Sequence, residues 1–176
     1  EIESEYEINF AKIIGGGKCI SYASCRMGFF SLLEVLTIKK DDEVILLGSS
    51  CAVMSNAVIK VGAKPVYSDV DINNFGSSLD SIKKKISNKT KVIVAQHSFG
   101  IPCEISSIKE FARSKNIFLI EDCALCVDSS IDGTKVGNFG DAAIFSTDHS
   151  KPINTLIGGI VYTRNSDIYL KLREKH

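Results

Sequence analysis

Residues 141–159 read Asp-Ala-Ala-Ile-Phe-Ser-Thr-Asp-His-Ser-Lys-Pro-Ile-Asn-Thr-Leu-Ile-Gly-Gly. The apolar run at 142–145 predicts a strand, a polar turn with Ser146 and Lys151 follows it, and the apolar run at 160–162 predicts another strand. A lysine on a turn between two buried strands is partly withdrawn from water, which favours the neutral amine that a Schiff base with an aldehyde requires. The same pattern also fits an ordinary surface lysine beside a proline, and this stretch alone does not separate the two.

Composition narrows the class of protein. The chain has 176 residues, of which 44% are hydrophobic and 24% charged, with a formal net charge of zero, so it predicts one globular domain with a sizeable core. Basic residues cluster only at 83–85, which argues against binding to nucleic acid or to an acidic membrane surface. The sequence shows no apolar run of membrane-spanning length and no signal-peptide pattern, so a cytoplasmic location is expected.

Six cysteines are spread through apolar, strand-like contexts. This distribution favours reduced thiols over a disulfide framework. Residues 123–126 spell C-x-x-C, but no second pair or flanking histidine completes a zinc site, so no metal is predicted.

Strand and helix patterns alternate along the chain. Strands are predicted at 19–23, 44–47, 65–69, 91–96 and 117–120, in addition to the two above, and helices at 1–14, from about 26 to 36, and at 51–61, 79–86 and 106–115, with Ser49 and Ser50 capping the helix at 51–61. This alternation predicts a three-layer α/β/α fold with a mostly parallel sheet covered on both faces, forming a single domain over residues 1–176.

Polar residues collect just after the predicted strands. Ser24 and Arg26, Ser49 and Ser50, His97, Asp122, and the segment 146–151 should therefore meet at one edge of the sheet, where open α/β sheets bind ligands. Arg26 in a first helical turn opposes the helix dipole unless an anion lies there.

Phosphate and dinucleotide motifs are absent. No G-x-G-x-x-G follows a strand, and Lys12 stands where a phosphate-loop reading of 15–18 would need glycine. The collected groups instead suit pyridoxal phosphate (PLP), because a lysine binds its aldehyde, a carboxylate keeps its pyridine nitrogen protonated, and N–H and OH groups bind its phosphate.

Seven segments then match a known family in order and spacing. They are 42–45 (Asp-Glu-Val-Ile), 61–71 (Val-Gly-Ala-Lys-Pro-Val-Tyr-Ser-Asp-Val-Asp), 96–102 (Gln-His-Ser-Phe-Gly-Ile-Pro), 120–124 (Ile-Glu-Asp-Cys-Ala), 136–141 (Val-Gly-Asn-Phe-Gly-Asp), 145–151 and the glycine pair 158–159. The sequence resembles the DegT/DnrJ family of PLP-dependent aminotransferases, which act mostly on nucleotide-linked keto-sugars and serve polysaccharide and lipopolysaccharide biosynthesis. The resemblance implies the large, cofactor-binding domain of the type I PLP-transferase fold.

The resemblance also implies roles. Lys151 is similar to the Schiff-base lysine that later moves a proton as general acid and base, and Asp122 to the partner of the pyridine nitrogen. Ser146 resembles the phosphate-binding hydroxyl, and Cys25 and Arg26 occupy the phosphate-binding turn.

Three further positions near the predicted site have weaker assignments. Cys51 falls where many relatives place an aromatic ring over the cofactor, so it is predicted to line the cofactor site with weaker stacking. His97 and His149 are interpreted as structural or supporting residues.

Three departures from the family pattern stand out. Leu125 replaces the usual Gln or His three residues after the aspartate and cannot hydrogen-bond the cofactor's O3′ oxygen. Leu156 and Ile157 stand where relatives commonly have Gly-Glu. Relatives are about twice as long, so the smaller C-terminal domain is expected to be absent here, and with it residues that family homodimers exchange across their interface.

Two function classes follow. The first is an aminotransferase that moves an amino group from an amino acid such as glutamate to a keto-sugar nucleotide; Lys151 favours this over related sugar dehydratases, in which the lysine is replaced. The second is a non-catalytic or truncated PLP-fold module with a binding or assembly role. A Rossmann domain would require the missing glycines.

Overall fold

The computed structural model of the protein describes residues 2–176. The helices are α1 (Ile2–Ile14), α2 (Cys25–Val35), α3 (Ala52–Lys60), α4 (Leu79–Lys85), α5 (Ile105–Ser114) and α6 (Ser166–Lys175). The strands are β1 (Lys18–Tyr22), β2 (Glu43–Leu47), β3 (Lys64–Ser68), β4 (Thr90–Gln96), β5 (Phe118–Asp122), β6 (Ser130–Ile131), β7 (Thr134–Lys135), β8 (Ala142–Ser146) and β9 (Gly159–Thr163).

Seven strands form one sheet in the order β1-β9-β8-β5-β4-β2-β3. Strands β8, β5, β4, β2 and β3 pair in parallel, whereas β9 pairs antiparallel with both β8 and β1. Strand β1 therefore runs in the same direction as the parallel strands. The carboxyl ends of β1, β2, β4, β5 and β8 consequently lie at one edge, where β9 begins.

The sheet separates two layers of helices. Alternate residues along each strand contact opposite layers, as in β8, where Ala142 and Ile144 pack with α2, α3 and α6 and Ala143 and Phe145 pack with α1. Helices α4 and α5 cover the remaining strands on the α1 side. The predicted three-layer α/β/α fold with a mostly parallel sheet is confirmed.

Helix α6 is held against α1 and β1 by a buried carboxylate. Glu7, which is only 3% exposed, accepts hydrogen bonds from the backbone and hydroxyl of Ser21 and pairs with Arg173 of α6. This pairing satisfies a charge that burial would otherwise make costly. Within residues 2–176, no helix has the length and apolar character needed to cross a bilayer.

The structure adds to and corrects the predicted elements. Helix α6 and the short β6–β7 hairpin were not predicted, and Glu1, the first residue of the predicted helix at 1–14, lies outside the described residues. The predicted cap of α3 by Ser49 and Ser50 is wrong, because Cys51 is the N-cap residue and its side chain makes no capping hydrogen bond. The cap falls one residue later because β2 is followed by a tight turn, in which the backbone N–H of Ser50 bonds to the Leu47 carbonyl.

Candidate active site

A cavity of about 620 Å³ opens at the edge of the sheet where the parallel strands end. All six predicted cofactor residues line it: Cys25, Arg26, Cys51, Asp122, Ser146 and Lys151. They come from the segments after β1, β2, β5 and β8, which are distant in sequence and adjacent in space because of the sheet order. As predicted, these side chains meet at one edge of the sheet.

Asp122 is the buried acid of the cavity. It ends β5 on the face that packs with α2 and α3, it is 4% exposed, and its Oδ1 accepts a hydrogen bond from the backbone N–H of Ala124 at 3.0 Å. Burial raises its pKa above the ordinary value, and the Ala124 N–H, His97 and Lys151 only partly oppose this. A cationic ligand group placed against Asp122 would restore its ionised form.

Lys151 stands on a loop that is closed by its own hydrogen bonds. We call residues 147–158 the lysine loop. The backbone N–H of Thr147 donates to the Gly158 carbonyl at 3.0 Å, and that of His149 donates to the Leu156 carbonyl at 3.0 Å. Across the base of the loop, the hydroxyl groups of Thr147 and Thr155 share a hydrogen bond, with their oxygens 2.8 Å apart. This network fixes the position from which Lys151 enters the cavity.

The glycine pair that ends the lysine loop allows α2 to approach. A Cβ on Gly159 would lie 2.6 Å from the Ser24 carbonyl carbon and would collide with the backbone of Cys25. Gly158 has φ +152°, and a Cβ there would meet the Thr147 hydroxyl. Gly159 is therefore required for the N-terminus of α2 to lie directly against the base of the loop, and Gly158 is required for the loop itself to close.

The N-terminus of α2 faces the cavity without a side-chain cap. Its N-cap residue, Ser24, makes no capping hydrogen bond, and no acidic residue occupies the first turn. Exposed Arg26 in that turn and the uncommitted backbone N–H groups favour an anion at this place. The structure is therefore compatible with the prediction that Arg26 in the first turn accompanies a bound anion.

Cys25 lies deep within the same turn. Burial raises the pKa of its thiol, the nearby Asp122 carboxyl raises it further, and Lys151 lowers it. The thiol is therefore neutral and contributes packing rather than charge. Cys25, Asp122 and Lys151 all line the same cavity.

The loop after β2 supplies a second uncapped helix N-terminus. Ser49, Ser50 and exposed Cys51 line the cavity in front of α3, together with Met54 from its first turns. Cys51 offers a small polarisable side chain where a ring would stack more extensively. Ser146, buried at 7% exposure, adds a hydroxyl at the end of β8.

A hydrogen-bond network behind the cavity involves Glu121, whose role the sequence analysis did not identify. Its carboxylate is fully buried and accepts the backbone N–H groups of Gly137, Phe139 and Gly140 at 2.6–2.8 Å. The His97 ring lies 3.1 Å from Glu121 through Nε2, and its Nδ1 accepts the backbone N–H of Cys103. Because Nδ1 accepts this N–H, the Nε2 atom carries a proton toward Glu121, and these contacts favour a structural role for His97.

Three residues of this region could in principle bind a metal ion. Ligand atoms of His97, Glu121 and Cys123 lie within 4.8 Å of one another, and all three residues are buried. Both ring nitrogens of the histidine and both oxygens of the glutamate are already engaged in hydrogen bonds. A metal ion would have to displace them, so the cluster is a closed hydrogen-bond network.

His149 lies outside the cavity lining. Its side chain is 75% exposed and pairs with Asp148 at 2.8 Å on the surface of the lysine loop. Asp148 and Ser150, neither of which the sequence analysis singled out, do line the cavity.

A larger cavity of about 750 Å³ opens at the opposite edge of the sheet. It is lined by the segments that precede β2, β5 and β8 and by exposed basic side chains such as Lys109 and Arg113. The C-terminal ends of α2 and α5 lie there, and basic side chains near them complement the helix dipoles. The smaller cavity is therefore the candidate active site, because it contains the buried carboxyl of Asp122 together with Lys151.

The residues of the smaller cavity fit pyridoxal phosphate. Asp122, whose pKa is raised by burial, suits a pyridine nitrogen that carries a proton, and Lys151 suits an aldehyde. The uncapped N-terminus of α2, with Arg26 and Ser146, suits a phosphate. Leu125, which replaces the usual Gln or His of the family, also lines the cavity and offers it no hydrogen bond.

The sheet order, the lysine loop and the buried aspartate together define the large domain of the PLP-transferase fold. The aminotransferase TlmJ from Streptoalloteichus hindustanus superposes on 99% of this chain with a TM-score of 0.95 at 31% identity, and the matched part is 48% of that chain. Residues 1–175 match the DegT/DnrJ/EryC1/StrS aminotransferase family, and the chain belongs to that family.

Two relatives are similar to this chain in sequence. GDP-perosamine synthase from Escherichia coli O157:H7 is 40% identical over 137 residues, which is 78% of this chain and 38% of the relative. The dTDP-4-dehydro-2,3,6-trideoxy-D-glucose 4-aminotransferase from Saccharopolyspora spinosa is 34% identical over 170 residues, which is 96% of this chain and 44% of the relative. The chain thus spans less than half of the length of these relatives.

Proposed function

We propose that this chain is the cofactor-binding part of a PLP-dependent aminotransferase. The enzyme takes an amino group from an amino acid such as glutamate and transfers it to a nucleotide-linked keto-sugar. Family membership supports the reaction class, and the names of both relatives support the substrate class. We also propose a cytoplasmic homodimer, because the relatives are biosynthetic enzymes by name and the resemblance described above implies homodimers that exchange residues across their interface.

One observation carries the proposal: a lysine, a buried aspartic acid and an uncapped helix N-terminus line a single cavity. When bound, PLP supplies an electron sink for the carbanion that forms when a proton leaves the substrate carbon. In this assignment Asp122 holds a proton on the pyridine nitrogen. The N-terminus of α2, Arg26 and Ser146 orient the phosphate.

Lys151 has two roles in this assignment. Its amine would hold the aldehyde of the cofactor, and the free amine would move the proton at the substrate carbon as general base and general acid. The closed hydrogen bonds of the lysine loop hold Lys151 in position for both steps. This requirement for a fixed position explains why the polar groups of the loop form hydrogen bonds with one another.

The cofactor assignment is tested on the full-length protein with added PLP. Borohydride reduction followed by peptide mapping should place the cofactor on Lys151, and Lys151→Ala should carry no label. Lys89→Ala, which changes an exposed lysine far from the cavity, is the matched control and should label normally. Equal labelling of the Lys151→Ala protein would refute the lysine assignment.

A non-catalytic binding role is the second candidate, and Leu125 is the observation that favours it. Its side chain lines the cavity where it cannot hydrogen-bond the cofactor. Transfer of nitrogen from labelled glutamate to a nucleotide-linked keto-sugar, followed by mass spectrometry, separates the candidates. Labelling of Lys151 without amino transfer to any such sugar would favour the binding role.

A further inference from the structure

Two apolar side chains, Leu125 and, from the lysine loop itself, Ile157, line the cavity beside Lys151. Leu125 follows β5 and Ile157 precedes β9, and these strands lie on either side of β8, which leads into Lys151. Both side chains line the cavity that contains Lys151. A molecule that reacts at Lys151 therefore meets apolar side chains from the segments on both sides of β8.

Ile157 is placed rigidly and left open to solvent. The Thr155 hydroxyl donates to its carbonyl at 3.0 Å, and the next residue, Gly158, accepts the backbone N–H of Thr147 at 3.0 Å. Its side chain is nevertheless 71% exposed. A ligand that enters the cavity would cover this side chain, and the covered area favours an apolar ligand surface.

The neighbouring residue provides an internal comparison. Leu156 is 73% exposed and belongs to the same loop, but it does not line the cavity. Any effect that depends on loop stability or on a protein surface covering the loop should be felt at both positions. An effect that depends on the bound ligand should be felt at Ile157.

The apolar side chains of the cavity discriminate against hydroxyl groups. A hydroxyl pressed against Ile157 loses its hydrogen bonds to water and gains none from the side chain. Such a contact disfavours an extra hydroxyl by about 10- to 100-fold, whereas a side-chain amide at the same place would bond to it.

We propose that Ile157, with Leu125 from the segment after β5, selects a keto-sugar whose ring carbon beside the reacting carbonyl lacks a hydroxyl. This inference rests on the proposed function and names the substrate class of the same site. Ile157 is then a specificity residue that acts by contact with the sugar.

The test uses the full-length protein and two nucleotide-linked keto-sugars that differ by one hydroxyl on the carbon beside the carbonyl. The ratio of kcat/KM for the deoxygenated sugar to that for the hydroxylated sugar is measured with glutamate for wild type, Ile157→Gln and Leu156→Gln. We expect a ratio of about 10 or more in wild type and in Leu156→Gln, and of about 3 or less in Ile157→Gln. Glutamine adds a hydrogen-bonding group without adding charge.

Several results would overturn the inference: a wild-type preference for the hydroxylated sugar, an unchanged ratio in Ile157→Gln, or an equal change in Leu156→Gln. A change in the oligomeric state of Ile157→Gln at an unchanged ratio would also overturn it, because a second copy rather than the sugar would then cover the side chain.

A second measurement separates this inference from the proposed function. Calorimetry gives the Kd of each sugar for Lys151→Ala and for the Lys151→Ala, Ile157→Gln double variant, neither of which needs to turn over. If Ile157→Gln brings the Kd values of the two sugars closer together, the specificity role is supported. Failure of the wild-type protein to transfer an amino group would refute the proposed function alone. Absence of binding by both sugars would overturn both.

Discussion

Gly159 is the point where the N-terminus of α2 touches the base of the lysine loop, so Gly159→Ala tests the architecture of the site directly. The added methyl would lie 2.6 Å from the Ser24 carbonyl carbon, and ordinary van der Waals contact begins at 3.4 Å. The turn before α2 must therefore move by at least about 0.8 Å, and the closer contact with the Cys25 backbone demands more.

The displacement has two measurable consequences. Overpacking of this kind costs about 1–3 kcal/mol in the free energy of unfolding, which urea titration of the cofactor-free protein would measure. Because a misplacement of about 1 Å in a positioned site costs about 100-fold, we expect the affinity for PLP to fall by about that factor. Titration of the protein with PLP, followed by absorbance, measures this loss.

Gly48→Ala is the matched control. Gly48 lies after β2 at the same edge of the sheet, its φ is outside the region that favours glycine, and its Cβ would be 3.2 Å from the Ser68 carbonyl oxygen. A shift of a few tenths of an ångström relieves that contact, so PLP affinity should stay near the wild-type value. Wild-type PLP affinity in Gly159→Ala, with a folded protein by circular dichroism, would refute the assignment of the α2 N-terminus to the cofactor site.

Two further substitutions probe the acid and the loop. Because burial raises the pKa of Asp122, the folded cofactor-free protein keeps a proton that the unfolded chain releases above the ordinary value of 3.8, so stability falls as pH rises through that window. Asp122→Asn should therefore stabilise the cofactor-free protein at neutral pH by about 1–3 kcal/mol, lose this advantage in acid and weaken PLP binding; a less stable variant in neutral urea titrations would contradict it. Leu156 has φ +70°, so Leu156→Gly should raise the free energy of unfolding by about 0.5–1 kcal/mol, whereas Leu156→Ala keeps the strain, and equal urea midpoints for the two variants would count against this account.

Most of the fold could be predicted from hydrophobic patterning because each central strand is a short apolar run and most of the helices have an apolar face. The direction of β9 was not predicted, since the apolar run at 160–162 reads the same in either direction. The connection from β8 provides the missing information: residues 147–158 contain no helix, and a parallel crossover needs one.

Helix α6 was missed for a similar reason. Its buried residues in the core are only Ile168 and Leu172, one turn apart, which is too short a pattern to predict a helix. The side chain of Asn165 does cap it, accepting the backbone N–H groups of Asp167 and Ile168, and that signal was present in the sequence.

The positions of the candidate site residues could be predicted from the sequence, but their hydrogen-bond partners could not. Lys151, Asp122 and Ser146 each follow a strand, and the rule that parallel strands end at one edge brings them together. The role of Glu121 depends on backbone N–H groups 16 to 19 residues away, which no spacing rule identifies. The difference between Ile157 and Leu156 likewise depends on which side chain turns toward the cavity.

The self-contained bonding of the lysine loop has a consequence for how such a site changes over evolutionary time. Its hydrogen bonds join Thr147, His149, Thr155, Leu156 and Gly158 to one another, without using the side chains of Leu125 or Ile157. Mutations of these two side chains can therefore alter what the cavity accepts while Lys151 keeps its place. A lineage can change its substrate by small steps without passing through an inactive ancestor.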